Sequence, residues 1–384
     1  MVPVGRSPGP HSTPKASLGG IRGGGVDGIQ WGMPTTTRAL SLPFARAPFD
    51  VVDVAIRDLR DDDVLIDVAW AGICHSDIHT GRDEWGAAHY PLTPGHEIAG
   101  TVAAVGSTVT RHAVGDRVGV GCLVDSCGAC EPCKDGQEQF CTKPSVGTYN
   151  SKGYDGAWTV GGYARQVAVS ERFVLRIPGE LDLDVAAPLL CAGITTYSPL
   201  RRWGAGPGRK VGVVGVGGLG HMAVKIAVAM GAEVTTFSRS DAKAADALTL
   251  GAVRHVATCD AEAMRSARRS LDLVVNTVSA DLDVESYLRL LAPNGVLANV
   301  GLPPSPYVIR PGALIFGNKV LTGSQIGGIE QTQEMLDFCA EHGIGASIER
   351  LDASDPERID RAWDDVVVGN VRYRFVIDAS TIPG

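Results

Sequence analysis

Nowhere does the chain run to about 18 uninterrupted apolar residues, the length a membrane-spanning helix needs. Residues 211–234 come nearest, but glycines, His221, Lys225 and Glu233 interrupt them, as in a buried unit of a globular protein. Clustered positive charge is also missing. Lysine and arginine number 35 against 43 aspartates and glutamates, a net charge of -8, so no basic face is offered to nucleic acid or to an anionic membrane. Residues 1–33 lack the apolar core of a secretory signal and hold too little hydrophobicity to order themselves. Gly, Pro and Ser dominate there, as in Gly19-Gly20-Ile21-Arg22-Gly23-Gly24-Gly25. This segment is expected to be a disordered extension, with Met33 as an alternative start. Internal repeats are absent as well.

What the chain does have is 384 residues, 44% of them hydrophobic, which is enough for two domains. From about residue 34 to 185 the signals are β. Val51–Ile56, Val64–Trp70, His96–Val105, Asp116–Val120 and Gln166–Ile177 read as strands with Gly and Pro between them. Near Leu189 the texture changes. Val211–Gly215, Glu233–Ser238, Val253–Ala257, Leu271–Thr277, Val296–Gly301 and Lys319–Gly323 read as strands separated by helix-length segments such as Ala242–Gly251 and Val284–Leu291. That alternation predicts a parallel sheet with helices on both faces. Residues 331–342 and Pro356–Val368 carry helical patterns, and Tyr373–Asp378 ends the chain as a strand.

The 9 cysteines are distributed unevenly. Cys127, Cys130, Cys133 and Cys141 have the spacing of a closed, structural, tetrahedral zinc site. Disulfides and an iron–sulfur cluster are the alternatives, and disulfides suit a reducing cytoplasm poorly. A second set is spread along the chain. Cys74-His75-Ser76-Asp77-Ile78-His79 supplies a thiol, and Pro94-Gly95-His96-Glu97 and Leu190-Cys191-Ala192-Gly193 supply its possible partners. Two thiolates and one imidazole are a known catalytic zinc set, with a fourth position left for water or a substrate oxygen. Taken singly, a buried Cys is usually a small hydrophobe and a lone His a packed residue; the set gains meaning only together. Cys122, Cys259 and Cys339 read as ordinary thiols.

Val211-Gly212-Val213-Val214-Gly215-Val216-Gly217-Gly218-Leu219-Gly220 is a strand, a glycine turn and the start of a helix. Such glycines allow a tight turn, backbone approach to a pyrophosphate, and close helix–strand packing. The helix N-terminus then presents its free N–H groups to the phosphates.

With these motifs in view, the chain resembles the zinc-dependent medium-chain alcohol dehydrogenases. Within them it is most similar to the cinnamyl alcohol dehydrogenase family, of the bacterial NADPH-dependent aldehyde reductase type. The likeness rests on Cys74-His75-Ser76-Asp77, Gly95-His96-Glu97, the four-Cys loop, Cys191-Ala192-Gly193-Ile194-Thr195-Thr196-Tyr197, the glycine turn and Tyr373-Arg374-Phe375-Val376-Ile377-Asp378. It covers nearly everything after residue 33.

The resemblance implies an α/β two-domain fold: a GroES-like β-rich catalytic domain (34–188 and 324–384) and a Rossmann doubly wound parallel sheet binding NADP (189–323). It implies two zinc ions per chain. Cys74, His96 and Cys191 would hold the catalytic one, with Glu97 directly behind it, and the four-Cys loop would hold the structural one. Asp77 would orient the histidine ligand, and Ser76 and His79 would relay the alcohol proton. His75, Thr195, Gly215, Gly217, Gly218, Leu219, Gly220, Thr277, Val300, Gly301 and Ser324 would contact the coenzyme, and Trp85 and Tyr90 would line the substrate pocket. A homodimer that takes a small aldehyde or alcohol is the expected assembly, through the strand Lys319–Gly323.

Coenzyme choice is readable at the end of the second nucleotide-domain strand. An NAD enzyme usually places Asp or Glu about 20 residues past the glycine turn, on the ribose 2′-OH. Ser238 stands there, followed by Arg239, Ser240 and Lys243, a hydroxyl and cations suited to a 2′-phosphate. Asp241 offers a competing account, in which it caps the next helix and pairs with Arg239. Three other functions compete with NADPH-dependent aldehyde reduction: an NAD-dependent enzyme of the same kind, a zinc-free quinone or enoyl reductase, which should lack the ligands at 74, 96 and 191, and a non-enzymatic zinc module, which would not need a nucleotide turn.

Overall fold

The computed structural model describes residues 36–384; the expectations for residues 1–33 lie outside them. Three β-structures precede the nucleotide-type sheet in the chain. β1 (Thr36–Ser41) and β2 (Asp50–Ala55) form an antiparallel pair. A larger sheet contains β3 (Asp63–Gly72), β4 (Ile98–Val105), β5 (Arg117–Val120), β8 (Gln166–Ser170) and β9 (Leu175–Arg176), and a small ladder joins β6 (Leu123–Asp125) to β7 (Val146–Gly147). The larger sheet is completed from the far end of the chain: β16 (Ile348–Asp352) and β17 (Arg374–Asp378) add at the β3 side, giving the order β16-β17-β3-β4-β5-β9 with β8 also on β3.

The stretch Gln166–Ile177, expected as one strand, is broken. Glu171 turns the chain by accepting the Thr110 and Arg111 N–H groups at 3.0 Å each, and the buried Phe173 ring anchors the corner. The chain thereby leaves β3 and resumes beside β5.

The second sheet is β12-β11-β10-β13-β14-β15, from β10 (Lys210–Val214), β11 (Glu233–Ser238), β12 (Arg254–Ala257), β13 (Leu271–Asn276), β14 (Leu291–Asn299) and β15 (Val320–Gly323), with every neighbouring pair parallel. Numbered within the sheet this is 3-2-1-4-5-6, the doubly wound order that puts its ligand crevice beyond the strand ends where the winding reverses. In β10 every residue after Lys210 is buried, as a strand covered on both faces requires.

The helices are α1 (His75–Gly81), α2 (Glu131–Lys134), α3 (Leu183–Ala186), α4 (Ala192–Arg202), α5 (Gly220–Ala229), α6 (Ala244–Thr249), α7 (Ala261–Ser266), α8 (Val284–Leu288), α9 (Gly312–Ile315), α10 (Ile329–Glu341) and α11 (Pro356–Val368). Among the described residues no helix is long and apolar enough to cross a membrane. α11 shows how local chemistry sets limits. Asp355 caps its first turn through the Glu357 N–H at 3.1 Å, Pro356 opens it, and Gly369 at φ 76° ends it. Its inner stripe is Ile359, Ala362, Trp363 and Val366, all buried.

The approach of α5 to β10 is governed by Gly220. A Cβ there would stand 1.9 Å from the Gly215 carbonyl oxygen. Gly220→Ala should therefore force the helix away from the turn and lower the melting temperature by about 3 °C or more, read by calorimetry. An unchanged melting temperature would mean that this packing is not as close as described.

Candidate active site

Cys74 is the N-cap of α1, and the Asp77 carboxylate accepts its backbone N–H at 2.9 Å. The same carboxylate takes the Gly95 N–H at 3.2 Å, the His96 Nδ1–H at 3.0 Å and the Tyr163 hydroxyl at 3.4 Å. Gly95 turns at φ 107°, where a side chain would strike the Tyr163 ring. With Nδ1 donating to Asp77, His96 keeps the lone pair of Nε2 for another partner. Cys191 enters from the turn Ala187–Leu190 that leads into α4.

Donor atoms of Cys74, His96, Glu97 and Cys191 lie within 4.8 Å of one another, and all four residues are buried. The two sulfurs are 4.0 Å apart; two thiolates at tetrahedral corners around zinc would stand about 3.8 Å apart. A hydrogen bond from Cys191 holds the Cys74 thiol well below its ordinary range, while the bonds that Cys191 makes to Cys122 and Cys74 push its own thiol up. A divalent cation bound here would displace the thiol protons.

Glu97 is wholly buried beside this set. One oxygen pairs with Arg374 and the other, Oε2, has no partner. Burial pushes the carboxyl up to about 7 against the pull of the Arg374 guanidinium. An orphaned carboxylate oxygen beside two sulfurs and a free imidazole nitrogen suits a dication. The donor set fits zinc.

The four-Cys loop forms a second cluster, with Cys127, Cys130, Cys133 and Cys141 sulfurs also within 4.8 Å of one another. Cys130 and Cys133 are 3.4 Å apart and Cys130 and Cys141 3.9 Å. The Cys127 and Thr142 N–H groups point at Cys141 and Cys130 sulfurs. Backbone N–H groups of Thr142 and Cys133 bring the Cys130 thiol down to about 5. None of the nine cysteines is in a disulfide.

The residues expected at a coenzyme gather at one edge of the parallel sheet. Gly215–Gly220 follow β10, Ser238–Lys243 end and follow β11, Thr277 follows β13, Val300 and Gly301 follow β14, and Ser324 follows β15. Gly217 faces open space, the room a pyrophosphate needs. Thr277 donates its hydroxyl to the Val214 carbonyl at 2.8 Å and so braces the turn. Lys243 donates to the Val216 carbonyl at 2.7 Å, which carries its ammonium toward the glycine turn. Arg239 is exposed, and the next helical turn is capped by Ser240, whose hydroxyl accepts the Ala242 N–H, rather than by Asp241. Thr195 is buried in α4.

On the metal side, His75 is exposed and Ser76 half-buried at the start of α1. His79 Nδ1 lies 2.6 Å from Glu84 Oε2, and its ring stacks on the half-exposed Trp85. Tyr90 bonds the Thr80 and Gly81 carbonyls, which ties its hydroxyl to the end of α1.

Four contributors were invisible to the sequence reading. Arg374 joins Glu97 and also touches the place where a Gly218 side chain would be, so it spans from the metal set to the glycine turn. Glu84 holds His79. Tyr149 stacks on His96 with centroids 5.8 Å apart. Cys122, read as an ordinary thiol, lies near enough to Cys191 to lower its own thiol and raise that of Cys191. Arg374 stands inside a quoted motif, but no local pattern assigns it a partner 277 residues away.

Comparison with known proteins agrees with this geometry. A family model described as the alcohol dehydrogenase GroES-like domain matches residues 60–179, and one described as zinc-binding dehydrogenase matches residues 218–341. The chain is 55% identical over 346 residues to a probable formaldehyde dehydrogenase, AdhA, of Bacillus subtilis, covering 90% of this chain and 98% of that one. It is 49% identical over 350 residues to aldehyde reductase YahK of Escherichia coli, covering 90% and 99%. Among solved structures, a cinnamyl alcohol dehydrogenase from Helicobacter pylori complexed with NADP(H) superposes with a TM-score of 0.85 at 43% identity, covering 91% of this chain and 99% of that one. The chain belongs to the medium-chain, zinc-type alcohol dehydrogenases. That membership sets aside a non-enzymatic zinc module.

Asp77 supplies the next test. Asp77→Asn removes the charge that orients His96, and should weaken zinc at the Cys74/His96/Cys191 set by about 10- to 100-fold. Chelator competition should show one zinc released early and the four-Cys zinc retained; two equally resistant ions would contradict the role given to Asp77.

Proposed function

We propose that the protein reduces aldehydes to primary alcohols, reversibly and over a broad substrate range, with NADPH as hydride donor. The reading is carried by one observation: two buried thiols, an imidazole nitrogen and a carboxylate converge within 4.8 Å, and Arg374 links them to the glycine turn. The names of the relatives, one an aldehyde reductase and one solved with NADP(H), support the direction and the coenzyme.

Cys74, His96 and Cys191 would hold the catalytic zinc, with Glu97 behind it, and Cys127, Cys130, Cys133 and Cys141 the structural one. When both groups are bound, the zinc polarises the aldehyde carbonyl and the reduced nicotinamide supplies hydride to its carbon. The chain's own residues do the rest. Asp77 fixes the ring of His96. Ser76 hands the product its proton, and His79, steadied by Glu84 and Trp85, connects that hydroxyl with solvent. Gly215, Gly217, Gly218, Leu219 and Gly220 cradle the pyrophosphate, and Ser238, Arg239, Ser240 and Lys243 take the 2′-phosphate. His75, Thr195, Thr277, Val300, Gly301 and Ser324 complete the coenzyme contacts. Trp85 and Tyr90 border the substrate. The catalytic domain comprises 34–188 and 324–384, and the NADP domain 189–323. Nine unpaired cysteines suit a reducing compartment, the cytoplasm.

Steady-state kinetics of aldehyde reduction test the coenzyme. Wild type should show kcat/KM with NADPH at least about tenfold above that with NADH, the worth of one or two charge-assisted hydrogen bonds. Ser238→Asp/Arg239→Ala should lose most of that preference. Equal efficiency with NADH would replace this reading by the NAD-dependent one.

We also propose a homodimer. β15 ends the parallel sheet, and the segment leading into it exposes Ile315 (69%) and Phe316 (83%). Pairing β15 with its mate across a two-fold axis would remove an open edge and cover these side chains. Light scattering at micromolar concentration should give twice the 40.2 kDa of one chain; a single-chain mass would overturn the dimer.

A further inference from the structure

Beside the expected 2′-phosphate residues lies a histidine that nothing above employs. His255 stands on β12, next to β11 in the sheet, and its ring reaches the Ser238–Ser240 turn. Nδ1 is 2.8 Å from Thr236 Oγ1. Nε2 is 3.1 Å from Ser238 Oγ and 3.2 Å from the Ser240 carbonyl oxygen. A carbonyl only accepts, so Nε2 carries the proton, and Nδ1 accepts from the Thr236 hydroxyl. Ser238 also donates to the Ser240 carbonyl, at 2.8 Å. The one carbonyl therefore has two donors.

We propose that His255 is a positioning residue that frees the Ser238 hydroxyl for the 2′-phosphate of NADPH while holding the Ser240 carbonyl in place. The proposal rests on the NADPH reading above. Ser238 has a single hydroxyl proton, and giving it to a phosphate oxygen means withdrawing it from the Ser240 carbonyl. The Nε2–H of His255 then remains as that carbonyl's donor, so the turn keeps its shape. Arg239 sits between the two serines, and its guanidinium is exposed, so the shape of the turn decides where that charge is presented. Thr236, buried in the strand below, bonds Nδ1 and so keeps the ring turned with Nε2 toward the Ser240 carbonyl.

Binding of 2′,5′-ADP and of 5′-AMP to the zinc-loaded protein, measured by titration calorimetry, tests this without turnover. Wild type should bind 2′,5′-ADP at least about tenfold more tightly than 5′-AMP. His255→Leu should weaken 2′,5′-ADP by about three- to tenfold and leave 5′-AMP within about twofold, the effect of one lost hydrogen-bond donor. His255→Gln, which retains an N–H, should recover most of the loss. Unchanged 2′,5′-ADP affinity in His255→Leu, an equal loss for both nucleotides, or a Gln variant no better than Leu would overturn the proposal. A wild type without preference for 2′,5′-ADP would remove the NADPH reading and this proposal with it, whereas a clear preference that His255→Leu leaves intact would remove this proposal alone.

Discussion

The buried carboxylate of Asp77 is the point on which the site depends. It accepts from the Cys74 N–H, the Gly95 N–H, His96 Nδ1 and the Tyr163 hydroxyl. Two of those groups belong to metal-donor residues on different segments, and one to the turn directly before His96. A carboxylate with no exposure is costly unless it is fully bonded. Here the four donors satisfy it, and in doing so they set the positions of Cys74 and His96 relative to each other. The fold supplies the donors: α1 contributes the cap, the Gly95 turn the second N–H, and the buried bend before β8 the tyrosine.

The same electrostatic logic extends to the rest of the centre. Asp77 is matched by its hydrogen-bond donors, His96 Nδ1–H among them, and Glu97 by Arg374 in a buried ion pair. Removing one partner of such a pair leaves an uncompensated charge, which is why these pairs are fixed points of a structure even where they add little net stability. The two thiols have no such match in the protein. A divalent cation would balance their ionised forms, and their separation is what zinc requires. Arg374 makes the arrangement more than a metal site. It lies on β17, meets Glu97, and reaches the glycine turn, so the last strand of the chain mechanically connects the metal donors with the nucleotide-binding edge. Hydride transfer needs those two parts held at a constant distance.

Much of this was readable without coordinates because its signals are local. The spacing of Cys127, Cys130, Cys133 and Cys141 encodes a cluster, and the strand–glycine–helix run at 211–220 encodes the crevice of the parallel sheet. Asp355, Pro356 and Gly369 mark α11 at both ends. Even the scattered donors at 74, 96 and 191 could be named, since thiol and imidazole chemistry is scarce in the chain. What escaped was set by distance and by competition. Arg374–Glu97 depends on a sheet that joins residues 277 apart in sequence. Glu84 and His79 meet only because the chain folds back after α1. The split of β8 from β9 turns on a carboxylate answering the loop at 110–111, against the β propensity of the surrounding residues. His255 was hidden for a similar reason: its register in a parallel sheet, rather than any motif, puts it beside Ser238.

The central claim is that Cys74, His96 and Cys191 form a zinc site separate from the four-Cys cluster. Elemental analysis of as-isolated wild type and of a Cys74→Ala variant, with activity measured on the same samples, addresses it most directly. The account predicts about two zinc ions per chain in wild type. It predicts about one in the variant, which should be inactive yet folded. A variant that still holds two, or a wild type with a single zinc on the four-Cys loop, would contradict it.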